Sequence, residues 1–156
     1  MKTQSVLMVC LGNICRSPMA EGALRAAAGK AGLSLTVDSA GTGGWHKGEA
    51  PDPRAQAAAL RGGVDISGQR ARQVRPADFD DFDLILAMDR DNLADLAALM
   101  PKGARAQLSL LMDHVPGRAG KSVADPYYGD AKGFDRTWAE VTAGAAGVLA
   151  LISGKP

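Results

Sequence analysis

The sequence predicts an α/β fold: a three-layer αβα arrangement around a central four-stranded parallel sheet. Two observations carry this reading. Apolar runs of strand length at 5–9, 33–37, 84–88 and 107–111 alternate with helix-forming stretches along the whole chain. The runs Ser5-Val6-Leu7-Met8-Val9 and Leu84-Ile85-Leu86-Ala87-Met88 are continuously apolar instead of alternating, the pattern of strands buried on both faces. A chain of 156 residues without repeats or linkers is read as one domain, 1–156, around a single core.

Each element has its own justification. The strand at 5–9 runs into Cys10 and a short loop. Ser17-Pro18 is a helix opening, Ser as cap and Pro at the first helical position, and an Ala-rich helix follows to about Lys30, ended near Gly29 or Gly32. Glu21 lies one position beyond the reciprocal site of a capping box. The second strand, 33–37, leads into a long loop from Asp38 and Ser39 through the glycine-rich 41–44 to Trp45 and His46. Pro53 opens a helix to Leu60, stopped by Gly62-Gly63. The third strand is 84–88, then a helix from Asn92 to Met100 ends at Pro101. A fourth strand, 107–111, precedes a closing helix from Gly133 to Ile152 that carries Trp138 as a core residue. In such sheets function gathers at the carboxyl ends of the strands, here the Cys10 loop, the 39–45 loop, Met88-Asp89 and the Asp125 loop.

Composition narrows the class. A net charge of +1, with both signs interspersed, carries no signature of nucleic-acid or membrane-surface binding. No apolar run reaches spanning length, and the N-terminus lacks the basic start and cleavage site of a signal peptide, so a cytoplasmic protein is expected. The two cysteines, Cys10 and Cys15, are too close in sequence to staple a secreted fold. The 41–44 glycines miss the G-x-G-x-x-G spacing because position 46 is His, and no G-x-x-x-x-G-K-[ST] string exists, so a nucleotide cofactor has no support.

The stretch from Val9 to Pro18 carries the chemistry. Gly12 and Asn13 tolerate positive φ, so the loop can curl its backbone N–H groups inward, toward the positive end of the following helix. That makes an anion cradle. Cys10 beneath those donors sits where a thiolate is favoured, and Arg16 offers a planar fork matching two oxygens of a tetrahedral anion. A thiolate under a bound phosphate is placed for in-line attack on phosphorus, giving a phosphocysteine, with Arg16 and the amides carrying the equatorial charge. The Ser17 hydroxyl can steady the thiolate as leaving group. On C-x5-R alone, a buried strand-end cysteine and a surface arginine explain the residues equally well.

The longer string Val-Cys-Leu-Gly-Asn-Ile-Cys-Arg-Ser-Pro-Met-Ala-Glu at 9–21 closely resembles the signature of the low-molecular-weight protein tyrosine phosphatases. Asp125-Pro126-Tyr127-Tyr128-Gly129-Asp130 is similar to that family's general-acid loop, and the resemblance spans nearly the whole chain. It implies a flavodoxin-like (Rossmannoid) fold with the phosphate-binding loop Leu11-Gly12-Asn13-Ile14-Cys15-Arg16-Ser17 after the first strand. It implies hydrolysis of phosphotyrosine and aryl phosphates through Cys10, without metal or organic cofactor. Asp125 would protonate the leaving oxygen and then activate water. A bound phosphate dianion and the neighbouring rings favour its protonated form, and Pro126 holds it extended.

The resemblance also assigns supporting roles. Asn13 and Ser39 brace the strained turn with Ser17; a family His in that network is replaced here by Gln69, which can donate a similar bond. Asp89 either braces the Arg16 loop or caps the helix beginning nearby. Ile14, Trp45, Tyr127 and Tyr128 wall the substrate pocket, one tyrosine having core cover as the alternative. Cys15 is read as a redox partner that traps oxidised Cys10 in a disulfide, or else as a small packed residue. His46 and His114 show no partner and are read as surface residues.

Implied partners are a phosphotyrosine protein, a bacterial tyrosine kinase among the possibilities, with phosphate or a similar oxyanion in the site, and a monomer or weak dimer. An arsenate reductase would need relay cysteines, and none follows Cys15. A protein-arginine phosphatase would carry a smaller polar residue where this chain has Ile14. A phosphopeptide-binding module would need neither Cys10 nor Asp125.

Overall fold

The computed structural model describes residues 3–154; positions 1, 2, 155 and 156 of the expected 1–156 domain lie outside the described residues. The elements run β1 (Ser5–Cys10), α1 (Arg16–Lys30), β2 (Thr36–Gly41), α2 (Pro53–Arg61), α3 (Asp78–Asp81), β3 (Leu84–Ala87), α4 (Arg90–Leu99), β4 (Gln107–Leu110), a 3-10 turn (Leu111–His114) and α5 (Ala131–Ser153). The four strands are all parallel in the order β2-β1-β3-β4. The αβα arrangement read from the alternation is the one observed.

Strand periodicity divides the core in two. Val6 and Met8 pack on one face with Met19, Leu24, Phe134 and Val141, beneath α1, α2 and α5. Leu7 and Val9 face the other way, against Phe79, Ile85, Leu96 and Leu110, beneath α3 and α4. Burying β1 on both faces accounts for its unbroken apolar run. The chain crosses from one side of the sheet to the other between β1 and β3, which opens a crevice at their carboxyl ends.

Four expectations are corrected. β2 runs Thr36–Gly41, not 33–37, so Asp38 and Ser39 are strand residues and not loop residues. Their polar side chains hid the strand, yet both are paired: Asp38 with Arg72 and Ser39 with Glu21. The first helix starts at Arg16, with Cys15 at its N-cap, so Ser17 does not cap it and Pro18 is its third residue, still within the turn whose N–H groups need no partner. Of the two loop residues expected to accommodate positive φ, only Asn13 does so, at 59°. His114 is not a free surface residue: it is half-buried, 3.0 Å from the Ser109 hydroxyl, and burial pushes its pKa down.

Smaller shifts concern ends. α4 begins at Arg90, two residues before the expected start, because Asp89 accepts the Asn92 amide at 2.7 Å. The short α3 and the 3-10 turn had no periodic signal. Trp138 packs against the core as expected, lying over Gly62. No helix among the described residues is long and apolar enough to cross a membrane.

Candidate active site

The loop expected to carry the nucleophile leaves β1 at Cys10 and enters α1 at Arg16. It is laced to its neighbours by backbone bonds: Thr42 N–H to the Cys10 carbonyl and Gly43 N–H to the Leu11 carbonyl, both 2.9 Å, and Asp52 N–H to the Ile14 carbonyl, 2.8 Å. Gly41 must be glycine for this approach, because a Cβ there would sit 2.7 Å from the Leu11 oxygen.

Cys10 Sγ is buried and receives the Asn13 amide N–H at 3.3 Å, with the Ser17 hydroxyl 3.0 Å away. The direction of these bonds follows from their ends. The Asn13 side-chain nitrogen donates to Ser17 Oγ (2.8 Å) and Ser39 Oγ (3.0 Å), and Ser39 donates to Glu21 Oε1 (2.7 Å). Ser17 therefore accepts from Asn13 and can turn its own proton to the sulfur at 3.0 Å, the Ala40 carbonyl being the other acceptor in reach at 3.5 Å. Asn13 Oδ1 takes the Arg72 amide at 3.0 Å, so the left-handed turn at Asn13 is held by three partners. Gln69 does not join this network; its side chain donates to the Pro18 carbonyl at 3.0 Å, and its Oε1 is buried without a partner. Glu21, which the sequence singled out only as a failed capping box, is buried at the network's far end, where burial raises its pKa against Ser39 and Arg25.

Arg16 is buried and reaches three groups: Asp89 Oδ2 at 2.6 Å, the Val123 carbonyl at 3.1 Å and Asp125 Oδ2 at 3.6 Å. Burial works against its charge, but the Cys10 sulfur, Asp89 and Asp125 outweigh it and hold the guanidinium above its ordinary range. Asp89 does both jobs that the sequence left open, bracing Arg16 and capping α4.

Asp125 follows the buried Val123, whose N–H bonds the Met88 carbonyl at 2.7 Å, so the end of β3 carries the Asp125 loop. Asp125 Oδ1 accepts the Tyr127 amide at 3.1 Å. Two residues without any local sequence signal hold this loop. Arg54 donates to the carbonyls of Tyr127 (3.0 Å) and Gly129 (3.2 Å), and its guanidinium carbon lies 4.5 Å from the Phe134 ring centre. Asp52 fixes Arg54 through both carboxylate oxygens.

Cys10, Arg16, Ile14, Trp45, Asp125 and both tyrosines line one cavity of about 250 Å³. Tyr127 and Tyr128 meet edge to face at 5.0 Å and neither is core, Tyr128 being 95% exposed. His46, expected as a surface residue, also lines this cavity, with Nδ1 3.0 Å from Glu49. A larger cavity, about 670 Å³, lies away from the thiol between α1 and the 63–70 segment. Cys15 is buried beside the loop as a free thiol, and burial, reinforced by Asp52 and Cys10, pushes its pKa far above that of a free cysteine. The described residues contain no cluster of three or more His, Cys, Asp or Glu fit to hold a metal ion.

Residues 5–155 match the family described as low molecular weight phosphotyrosine protein phosphatase. The chain belongs to that family. Its members are hydrolases that act on phosphoproteins. The low molecular weight phosphotyrosine protein phosphatase of Schizosaccharomyces pombe is 45% identical over 136 residues, 85% of this chain and 86% of the relative. The low molecular weight protein-tyrosine-phosphatase YfkJ of Bacillus subtilis is 46% identical over 126 residues, 80% of this chain and 81% of the relative. The crystal structure of YfkJ superimposes with a TM-score of 0.90 at 40% identity, covering 99% of this chain and 97% of that one. The family's fold is thus the observed four-stranded parallel αβα sheet.

Proposed function

We propose that this chain hydrolyses phosphotyrosine in proteins, and aryl phosphate monoesters, through a phosphocysteine on Cys10. The observation that carries the reading is the convergence of the Cys10 sulfur, the Arg16 fork and the Asp125 carboxyl on one small cavity walled by aromatic rings. The Cys10 thiolate attacks phosphorus; the P–S bond forms as the P–O bond to the phenol breaks, and Asp125 delivers its proton to that oxygen. Water then attacks the phosphocysteine, Asp125 takes its proton, and the thiolate leaves with the Ser17 hydroxyl donating to it. Arg16 and the loop amides, with Asn13 holding the turn, carry the charge on the equatorial oxygens in both steps. Ile14, Trp45, Tyr127 and Tyr128 wall the aryl ring, and depth selects phosphotyrosine, since a phosphoserine is too short to reach the sulfur.

No metal or organic cofactor enters these steps. Ser39 and Asp89 act as supports. Cys15 serves as redox partner, capturing a Cys10 sulfenic acid as a disulfide with loss of water. The protein works in the cytoplasm as a monomer or weak dimer, its 1–156 span one domain, and a bacterial tyrosine kinase is the partner favoured by its Ala- and Gly-rich composition. Rapid quench with a radiolabelled monoester tests the central step. Label should appear on Cys10 within one turnover; its absence from a working enzyme overturns the reading.

A further inference from the structure

A second cavity, about 500 Å³, adjoins the catalytic one and shares two of its walls, Leu11 and Trp45. Its far side is the last turn of α4, with Ala98 and Leu99, and Asp95 is the single charged residue in its lining. Leu11, Trp45 and Leu99 are 45%, 71% and 48% exposed. Of the seven large apolar side chains exposed among the described residues, five line these two cavities; Leu60 and Leu151 alone lie elsewhere. Exposed apolar surface is therefore gathered around the mouth of the site, the usual mark of a surface that is covered during function.

The partition between the cavities is well held. The Trp45 ring lies over Gly43, where a Cβ would come 1.8 Å from it, so only glycine allows the indole to fold back on its own loop. The Gln73 side chain donates to the Thr42 carbonyl at 3.1 Å, and the Gly43 amide to Leu11 at 2.9 Å. A phosphotyrosine with its phosphate on Cys10 would have its backbone at the mouth of the catalytic cavity, of which this partition is one wall. Residues of an extended peptide advance about 3.3 Å each, so a neighbour within three positions reaches the second cavity.

We propose that the cavity between Leu11, Trp45 and Leu99 binds an apolar side chain of the substrate, within three residues of the phosphotyrosine. The proposal rests on the phosphatase reading and adds a sequence preference to it. Continuity with the catalytic cavity argues for a substrate segment as occupant, and Asp95 disfavours an acidic side chain in the same place.

The test uses phosphotyrosine peptides with Leu, Ser or Glu placed in turn at each of the three positions on either side, alongside p-nitrophenyl phosphate. At one position Leu should raise kcat/KM about tenfold over Ser, mostly through KM, and Glu should fall below Ser. Leu99→Ser should erase the Leu advantage, Leu99→Met should keep it, and both should hydrolyse p-nitrophenyl phosphate at the wild-type rate. Peptides that agree within twofold, or a Leu preference that survives Leu99→Ser, overturn the proposal. Failure to hydrolyse p-nitrophenyl phosphate and every peptide alike would instead strike the phosphatase reading on which it rests, and the subsite with it.

Discussion

Asp89 holds Arg16 with one carboxylate oxygen, at 2.6 Å, and caps α4 with the other, at 2.7 Å from the Asn92 amide. One side chain thus fixes both the Arg16 guanidinium, proposed to bind phosphate, and the helix packed on the far face of the sheet. Asp89→Asn keeps a cap and loses the charge partner, whereas Asp89→Ala loses both. Urea unfolding should show Ala losing about 1 kcal/mol more stability than Asn. Both should weaken inhibition by inorganic phosphate, because Arg16 is no longer aimed.

Cys10→Ser should abolish turnover while phosphate still binds, measured by calorimetry, since Arg16 and the loop amides remain. Asp125→Ala should slow phenyl phosphate far more than p-nitrophenyl phosphate, by a factor on the order of 10²–10⁴ for the poorer leaving group. Equal losses on both esters would show that Asp125 does not protonate the leaving oxygen.

Arg54 touches neither nucleophile nor acid, yet it ties the carbonyls of Tyr127 and Gly129 to Asp52, whose amide bonds the phosphate loop. It is a positioning residue for Asp125. Arg54→Ala should lower kcat about tenfold for phenyl phosphate, with a smaller effect on p-nitrophenyl phosphate. The inhibition constant for inorganic phosphate should hold steady. Arg54→Lys should recover little, because one ammonium cannot serve two carbonyls and a ring in the same geometry.

The Arg105 guanidinium, with the Gln4 amide and the Ser5 hydroxyl, holds the Asp83 carboxyl down from 3.8 to about 2. A folded-state value below the unfolded one gives stability that is complete above the unfolded pKa and disappears as pH falls through the folded one. Asp83→Asn should therefore be less stable than wild type at about pH 6, with the gap closing between about pH 4 and pH 2 in urea titrations.

Cys15 is kept protonated by burial, so iodoacetamide at neutral pH should label Cys10 and spare it. After peroxide, wild type should regain activity with dithiothreitol and Cys15→Ala should not. Equal recovery would remove Cys15 from the redox role.

What could be read from the sequence was contiguous. β1, the loop, Cys10, Arg16 and Asp125 lie in short strings whose residue types carry their own chemistry. What escaped depends on partners distant in the chain. Ser39 looked like loop because its strand is polar, and only Glu21, 18 residues earlier, shows why a polar strand is tolerated there. Arg54 finds its carbonyls 73 and 75 residues away, and nothing around position 54 announces them. The expected role of Gln69 failed for the same reason: its side chain turns to the Pro18 carbonyl, a choice set by how the 63–70 segment lies over α1.

The ladder between β1 and β2 does not stop at the strand ends; it continues through Thr42 and Gly43 onto the Cys10 loop, while Met88 and Val123 extend the β3 edge in the same way. The loop proposed to meet phosphate is therefore mounted on an extension of the sheet itself. Amide exchange at Thr42, Gly43 and Val123 should be as slow as in β1, and opening and closing of the site should be confined to the short span from Asp125 to Asp130.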